Sequence, residues 1–243
     1  DGMAEACRAF QTPVVSGNVS FYNETDGRGI LPTPVIGMVG LINDVRRVVQ
    51  PGFKAAGDMI ALLGETNDDL SISEYAFVIE GHTTQQMIQE GRVPALDLER
   101  ERAVQDACLR AAEAGLLRSA HDCSDGGLAV AIAESCFSSL NRSALGADVV
   151  LPGVLLPARA HLFSESPSRI IISFDESARA EIEGIAARSN CPFNLLGRVA
   201  AGQLSIAADG AQLISLATDE LETAWRSTLG AEMQGETLAA VAE

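Results

Sequence analysis

The sequence predicts an α+β fold, and three observations carry that prediction. Short apolar runs of strand length mix with helix-periodic stretches, without the strict strand–helix repeat of a doubly wound sheet. Hydrophobic residues make up 47% of the 243 positions, enough to bury a proper core. Between positions 121 and 137, polar turn-forming residues pass through Gly126-Gly127 straight into an apolar helical stripe of Leu128, Ala131, Ile132 and Cys136. No internal repeat accompanies them.

The elements follow in order. Residues 2–10 fit a short helix. Over 13–22 the pattern alternates, with Val15, Gly17, Val19 and Phe21 on one face and Ser16, Asn18, Ser20 and Tyr22 on the other. That period predicts a strand. A loop over 23–32 carries the turn pairs Asp26-Gly27 and Arg28-Gly29, and residues 33–41 predict a second strand. The polar stretch 44–57, with Pro51-Gly52, reads as a linker. A new domain begins near Gly57-Asp58 and leads into a short buried strand over 59–63. After an acidic loop at 65–69 comes a strand-like run at 75–79. Asp97 caps a long helix striped by Val104, Ala107, Cys108 and Ala111 that ends at Gly115. Beyond the glycine-pair loop and its helix, strands are expected at 169–174, 193–199, 204–207 and 212–215, with a helix over 176–188. Thr218 or Asp219 caps a last helix through Trp225.

The formal charge of −16 argues against a nucleic-acid partner, because phosphate backbones require a basic footprint. A phosphorylated ligand would have to be held locally, by backbone N–H groups, Mg2+ or a few placed cations. No apolar run approaches the ~18 residues of a membrane span, and no basic-then-apolar leader opens the chain. The five cysteines are odd in number, widely spaced and without a CxxC pair. They read as reduced core thiols of a cytoplasmic protein and speak against a zinc site. The opening Asp1-Gly2-Met3, with a helix already under way, predicts a fragment of a longer protein.

Four groups of residues could carry chemistry. In Ser16-Gly17-Asn18-Val19-Ser20, Gly17 permits close approach to the backbone. Asn18 can offer a hard carbonyl oxygen to Mg2+, and Ser20 points to the same side. A polar strand edge with a bulge at Gly17 explains the same residues. In the loop His121–Gly127, N–H groups at the helix start could receive a phosphate. Equally, Asp125 could cap that helix with its own carboxylate while His121 bonds at the strand end. Leu63-Gly64-Glu65-Thr66 with Ser73-Glu74-Tyr75 offers carboxylates for a metal or simply a solvated loop. In Phe163-Ser164-Glu165-Ser166-Pro167-Ser168-Arg169, Arg169 could meet an anion or pair with Glu165. His82 and His161 have no partner spacing. No Ser/His/Asp or Cys/His arrangement, Walker P-loop or HExxH is present, so the pattern contains no complete catalytic apparatus.

Taken together, residues 13–25 and 121–137 resemble phosphoribosylformylglycinamidine synthase, in the C-terminal part of its synthetase subunit. Pro34-Val35-Ile36-Gly37-Met38-Val39-Gly40, Leu63-Gly64-Glu65-Thr66, Ser73-Glu74-Tyr75, Pro94-Ala95-Leu96-Asp97-Leu98 and Glu165-Ser166-Pro167-Ser168-Arg169 support the resemblance in family order. It implies that residues 1–44 are the last piece of a ferredoxin-like, half-barrel nucleotide-binding domain. Residues 45–56 would be a linker, and 57–243 an aminoimidazole ribonucleotide synthetase-type C-terminal α+β domain. It also implies a reaction. ATP activates the formamide oxygen of formylglycinamide ribonucleotide as an iminophosphate, and ammonia from a separate glutaminase component displaces phosphate to give the amidine.

By the same resemblance Gly17 is a nucleotide contact, Asn18 a Mg2+ ligand and Ser20 a substrate contact. His121, Asp125 and Gly126 take the part of structural support. The family's catalytic histidine and most of its lysine and acidic ligands belong to an N-terminal half not contained here. This chain alone is therefore expected to be inactive and to need that half as its partner. It also departs from the family at Asp69-Leu70-Ser71-Ile72-Ser73, where glycines are expected. Two other classes remain open: a non-catalytic half that completes a pseudo-symmetric barrel, and another synthetase of the superfamily, such as aminoimidazole ribonucleotide synthetase or selenophosphate synthetase.

Overall fold

The computed structural model describes residues 1–18, 23–31, 33–138, 142–152 and 156–234. Two compact units divide the chain, Asp1–Val48 and Val49–Glu243.

The first unit opens with helix α1 (Gly2–Phe10), closed by Gln11 in the left-handed region. Strands β1 (Glu24–Thr25) and β2 (Arg28–Gly29) form a two-residue hairpin. Its turn residues Asp26 and Gly27 have φ of 52° and 75°, as a type I′ turn requires. A 3-10 turn at Val45–Arg47 is capped by Asp44, whose carboxylate accepts from the Arg46 N–H at 3.0 Å. None of the unit's described residues is buried. The strands expected at 13–22 and 33–41 are absent over the described residues 13–18 and 33–41. The sequence patterns favour strands, alternating over 13–22 and apolar over 33–41, but a strand exists only when a neighbour takes its backbone hydrogen bonds. No described segment does so, and Val35 and Val39 stand fully in solvent.

The second unit is a seven-stranded sheet between helices. Its strands are β3 (Met59–Leu63), β4 (Leu117–Asp122), β5 (Gly146–Leu151), β6 (Ile170–Phe174), β7 (Phe193–Ala200), β8 (Gln203–Ala208) and β9 (Ala211–Ala217). Their order is β4-β6-β3-β7-β5-β8-β9, antiparallel except for the parallel pair β5/β8. The helices are α2 (Thr84–Glu90), α3 (Leu98–Glu113), α4 (Gly127–Phe137), α5 (Ala158–Phe163), α6 (Arg179–Arg188) and α7 (Thr218–Gln234). This is the α+β architecture that the irregular alternation implied.

Strand β3 shows why both faces of the sheet are covered, since all five of its residues are buried. Met59, Ala61 and Leu63 pack with Val104, Ala107 and Ala111 of α3 and Ile182, Ile185 and Ala186 of α6. Ile60 and Leu62 face the other way, into a core with Leu128, Ile132 and Cys136 of α4. A period of two distributes five apolar residues between two cores. The stretch 49–56 joins this unit, because Phe53 is buried and its N–H bonds to Ser135 O at 2.8 Å.

One expected strand is corrected to another element. Residues Tyr75–Ile79 form a π-helical turn, with only Ala76 buried. The run of Phe77, Val78 and Ile79 looks like a buried strand, yet all three are exposed. Four elements escaped the sequence reading: the β1/β2 hairpin beyond its turn, α2, β5 and α5. They are short, and β5 owes its place to pairing with β7 and β8.

Candidate functional site

Four loops far apart in sequence meet at one end of β3 and β6. Leu63-Gly64 ends β3, and Gly64 has φ 95°. A Cβ there would stand 2.1 Å from the carbonyl oxygen of Ser168, a distance no side chain can accept. Only glycine allows the two backbones to cross so closely.

The segment Ser164–Arg169 ties the loops together. Ser164 Oγ accepts from the Asp69 N–H at 3.1 Å, and Ser166 Oγ accepts from the Asn67 N–H at 2.9 Å. Ser166 also donates to Asp69 Oδ2 at 2.6 Å. Arg169 is 2% exposed and spreads its fork inward: Nε to Ser166 O at 2.8 Å, Nη1 to Thr66 Oγ1 at 3.1 Å, Nη2 to Ser164 O at 2.6 Å. A planar guanidinium can satisfy three fixed acceptors at once where an ammonium cannot. Burial pulls its pKa below the ordinary value, and the neighbouring Cys123, Asp69 and Glu165 oppose that shift. Ser168, just before it, holds φ 61° with its hydroxyl buried and without a hydrogen-bond partner among the described residues.

Glu165 takes a role expected of another residue. Its Oε1 accepts two backbone N–H groups, from Glu74 and Gly126, each at 2.8 Å. Residue 126 is the N-cap of α4, with φ 77°, and no side chain within its own loop caps the helix. Asp125 is exposed and is corrected as the capping residue. A carboxylate from 39 residues away stands at the mouth of the helix instead. The anion position there is filled by the protein itself. Gly127, at φ 71°, lies so close to the 163–164 backbone that a Cβ would come within 2.5 Å of Ser164 O.

His121 links β4 to the helical layer. Its Nδ1 lies 2.8 Å from Asp122 O, and its Nε2 lies 3.3 Å from Glu134 Oε2. The other oxygen of Glu134 accepts from Trp225 Nε1 at 3.2 Å. Glu65 pairs with Arg100 at 2.6 Å, so that carboxylate is engaged at the surface. Arg169 makes neither expected partner its ion pair; it serves neutral oxygens. From sequence, Glu165 was expected only as a possible partner for Arg169, and His161 was given no role. The contacts of Glu165 span 39 and 91 positions, and no local pattern reports them. Burial pushes the thiols of Cys123 and Cys136 up to about 12 and those of Cys108 and Cys191 up to about 11.

In the first unit, Gly17 and Asn18 are exposed in irregular backbone, and a Cβ on Gly17 would meet nothing within 4 Å. Ser20 lies outside the described residues. Among the described residues no three His, Cys, Asp or Glu side chains cluster to hold a metal. Asn18 carries the hard oxygen that Mg2+ prefers, so it fits as one ligand; an octahedral ion would need its remaining donors from phosphate, water or further protein.

The family sequence model "AIR synthase related protein, C-terminal domain" matches residues 55–209, and its N-terminal counterpart matches residues 1–42. The chain therefore belongs to the AIR synthase related family. It is 45% identical over 241 residues to phosphoribosylformylglycinamidine synthase subunit PurL of Anaeromyxobacter dehalogenans, covering 96% of this chain and 30% of that relative. The PurL of Moorella thermoacetica is 41% identical over 228 residues, with 94% and 30% covered. The chain thus spans about 30% of the length of these curated relatives. The solved structure of Thermotoga maritima PurL complexed with FGAR shares the fold, with a TM-score of 0.62 at 20% identity, covering 73% of this chain and 30% of that one. The ATP complex of the same protein gives 0.56 at 20% identity, with 73% and 27% covered. Among the described residues no helix is long and apolar enough to cross a membrane.

Proposed function

We propose that this chain is one share of a PurL-type synthetase, a cytoplasmic carbon–nitrogen ligase of purine biosynthesis that uses glutamine-derived ammonia. The observation that carries the reading is the 45% identity to a PurL across 96% of the chain. The substrate is formylglycinamide ribonucleotide. ATP transfers its γ-phosphoryl group to the glycinamide carbonyl oxygen rather than to the formamide oxygen, because the formyl group survives in formylglycinamidine. Ammonia adds to the activated carbon, and phosphate leaves with that oxygen to give the amidine and ADP. Solved structures of Thermotoga maritima PurL include complexes with ATP, ADP and FGAR and a PurLQS assembly. The last supports a separate glutaminase partner.

Within that enzyme, residues 1–44 are the end of a nucleotide-binding domain and 57–243 the C-terminal-type domain, with 45–56 a linker whose second part, 49–56, packs with the latter. Gly17 lets a nucleotide approach the backbone, and Ser20 contacts the substrate. Asn18 would hold Mg2+, which neutralises the charge developing on the transferred phosphoryl group. His121, Asp125 and Gly126 support the site from the second unit. The described geometry favours support over direct binding at this loop, since Glu165 already occupies the mouth of α4.

The alternation of residues 13–22 and the apolar run 33–41 expect sheet partners, which the remaining length of a PurL-type protein supplies. The isolated chain should show no turnover with ATP, ammonia and formylglycinamide ribonucleotide. In the full-length protein, Asn18→Ala should lower kcat by on the order of a hundredfold, as losing one electrostatic stabiliser does. Near-normal activity would move this strip from the reaction to the scaffold.

A further inference from the structure

A pocket of about 180 Å³ opens in the second unit between the loop after β3 and the first half of β7. Leu62, Pro152 and Leu196 give it apolar walls, and Glu65, Thr66, Asn67, Asn194 and His161 supply its polar groups. His161 is 6% exposed, and among the described residues neither ring nitrogen has a hydrogen-bond partner. The ring lines the pocket, so a ligand there can take up the hydrogen bonding that no described protein group supplies.

The charge behind the wall gives that ligand a sign. Arg169 is buried and makes no ion pair among the described residues; its N–H groups go to two carbonyls and the Thr66 hydroxyl. Asp69 and Glu165 are near enough to favour its charged form, yet neither lies within ion-pair distance, and a buried cation without a directly paired anion is unusual. Because Thr66 Oγ1 accepts from this guanidinium, its own hydrogen is left to donate elsewhere. Burial first, and then the charge of Arg169, hold the His161 imidazole below its ordinary value, with Asp209 opposing. Glu65, the one carboxylate in the lining, is paired with Arg100 at 2.6 Å.

We propose that this pocket binds a small oxyanion, a carboxylate or phosphate group, received by the Thr66 hydroxyl and the His161 imidazole over the buried charge of Arg169. The anion completes the hydrogen bonding of His161 and favours its protonated form. In a chain of formal charge −16 such binding depends on this local arrangement, because the bulk field repels anions. The proposal stands on the second unit alone and does not require the reaction assigned above.

The test is side-chain NMR of the three histidines in the full chain, titrated with potassium phosphate or sodium acetate against chloride at matched ionic strength. The expected result is a saturable shift of the His161 resonance and an upward move of its titration midpoint, without the same response at His82 and His121. Saturation by phosphate alone identifies a phosphate group; saturation by acetate alone identifies a carboxylate. Thr66→Val should weaken binding about tenfold, the usual scale for one charge-assisted hydrogen bond, and Thr66→Ser should retain it. No saturable shift with either anion, an equal shift with chloride, or undiminished binding by a folded Thr66→Val protein overturns the proposal. Should Thr66→Val fail to fold, the titration of the unsubstituted chain decides.

Discussion

Glu165 shows how much one carboxylate oxygen can organise. It collects the N–H of Glu74 and the N–H of Gly126, and so joins the π-helical turn to the start of α4. Hydrogen bonds to a charged acceptor contribute about 1.5–3 kcal/mol each. Losing both should make Glu165→Ala destabilise the second unit by roughly 3 kcal/mol, the low end for two such bonds, while Glu165→Gln, which keeps an acceptor, should cost about half as much or less. Urea denaturation followed by circular dichroism measures both. Equal losses would mean that the acceptor is not what matters.

A second carboxylate works against the fold. Asp58 is 6% exposed, its Oδ2 has no hydrogen-bond partner among the described residues, and Arg118 lies 4.0 Å from Oδ1. Burial raises its pKa above the ordinary 3.8, and Arg118 only partly opposes this. The folded protein therefore holds this proton more tightly than the unfolded chain does. The resulting stability is full below pH 3.8 and is lost as pH rises through the raised value. Asp58→Asn should accordingly stabilise the protein at neutral pH, with the difference shrinking toward zero in acid. Thermal melts of both proteins across that range test the sign. Destabilisation at neutral pH would show that the Arg118 contact outweighs the burial cost.

At the scale of elements, β3 and the run 33–41 make an instructive pair. Both are apolar and of strand length. In β3 the backbone pairs with β6 on one side and β7 on the other, and helices close both faces. Residues 33–41 have no pairing strand among the described residues, and their described side chains are exposed. Pattern gives the tendency, and a hydrogen-bonded neighbour makes the strand. The π-helical turn at Tyr75–Ile79 failed for a related reason. Tyr75 stacks on Phe163 at 5.0 Å, and Ser73 holds the turn by accepting from the Ala76 N–H, so one distant and one local contact override an apolar run.

For the whole molecule, burial is concentrated in one unit. The second unit holds both cores, whereas no described residue of Asp1–Val48 is buried. Hydrogen exchange tracks such differences, because protection requires an opening that breaks packing. In the isolated chain, amides of β3 and β6 should exchange slowly and those of residues 13–18 and 33–41 rapidly. In a full-length PurL-type protein the latter should become protected. Equal protection of 33–41 and β3 in the isolated chain would defeat the idea that this stretch lacks its partners.

Local sequence determined a good deal of this protein by itself. Helices α1, α3 and α4, strand β3, the turn at Asp26-Gly27 and the cap at Asp97 each follow from a period or a residue type within a few positions. Interactions of that range are written in the order of the residues. The tertiary structure alone decided that Glu165 rather than Asp125 closes α4, that Arg169 serves neutral oxygens, and that His161 faces a pocket. Those outcomes depend on which distant loops the sheet order brings together. They come from the simultaneous burial of many segments, which no single window of sequence contains.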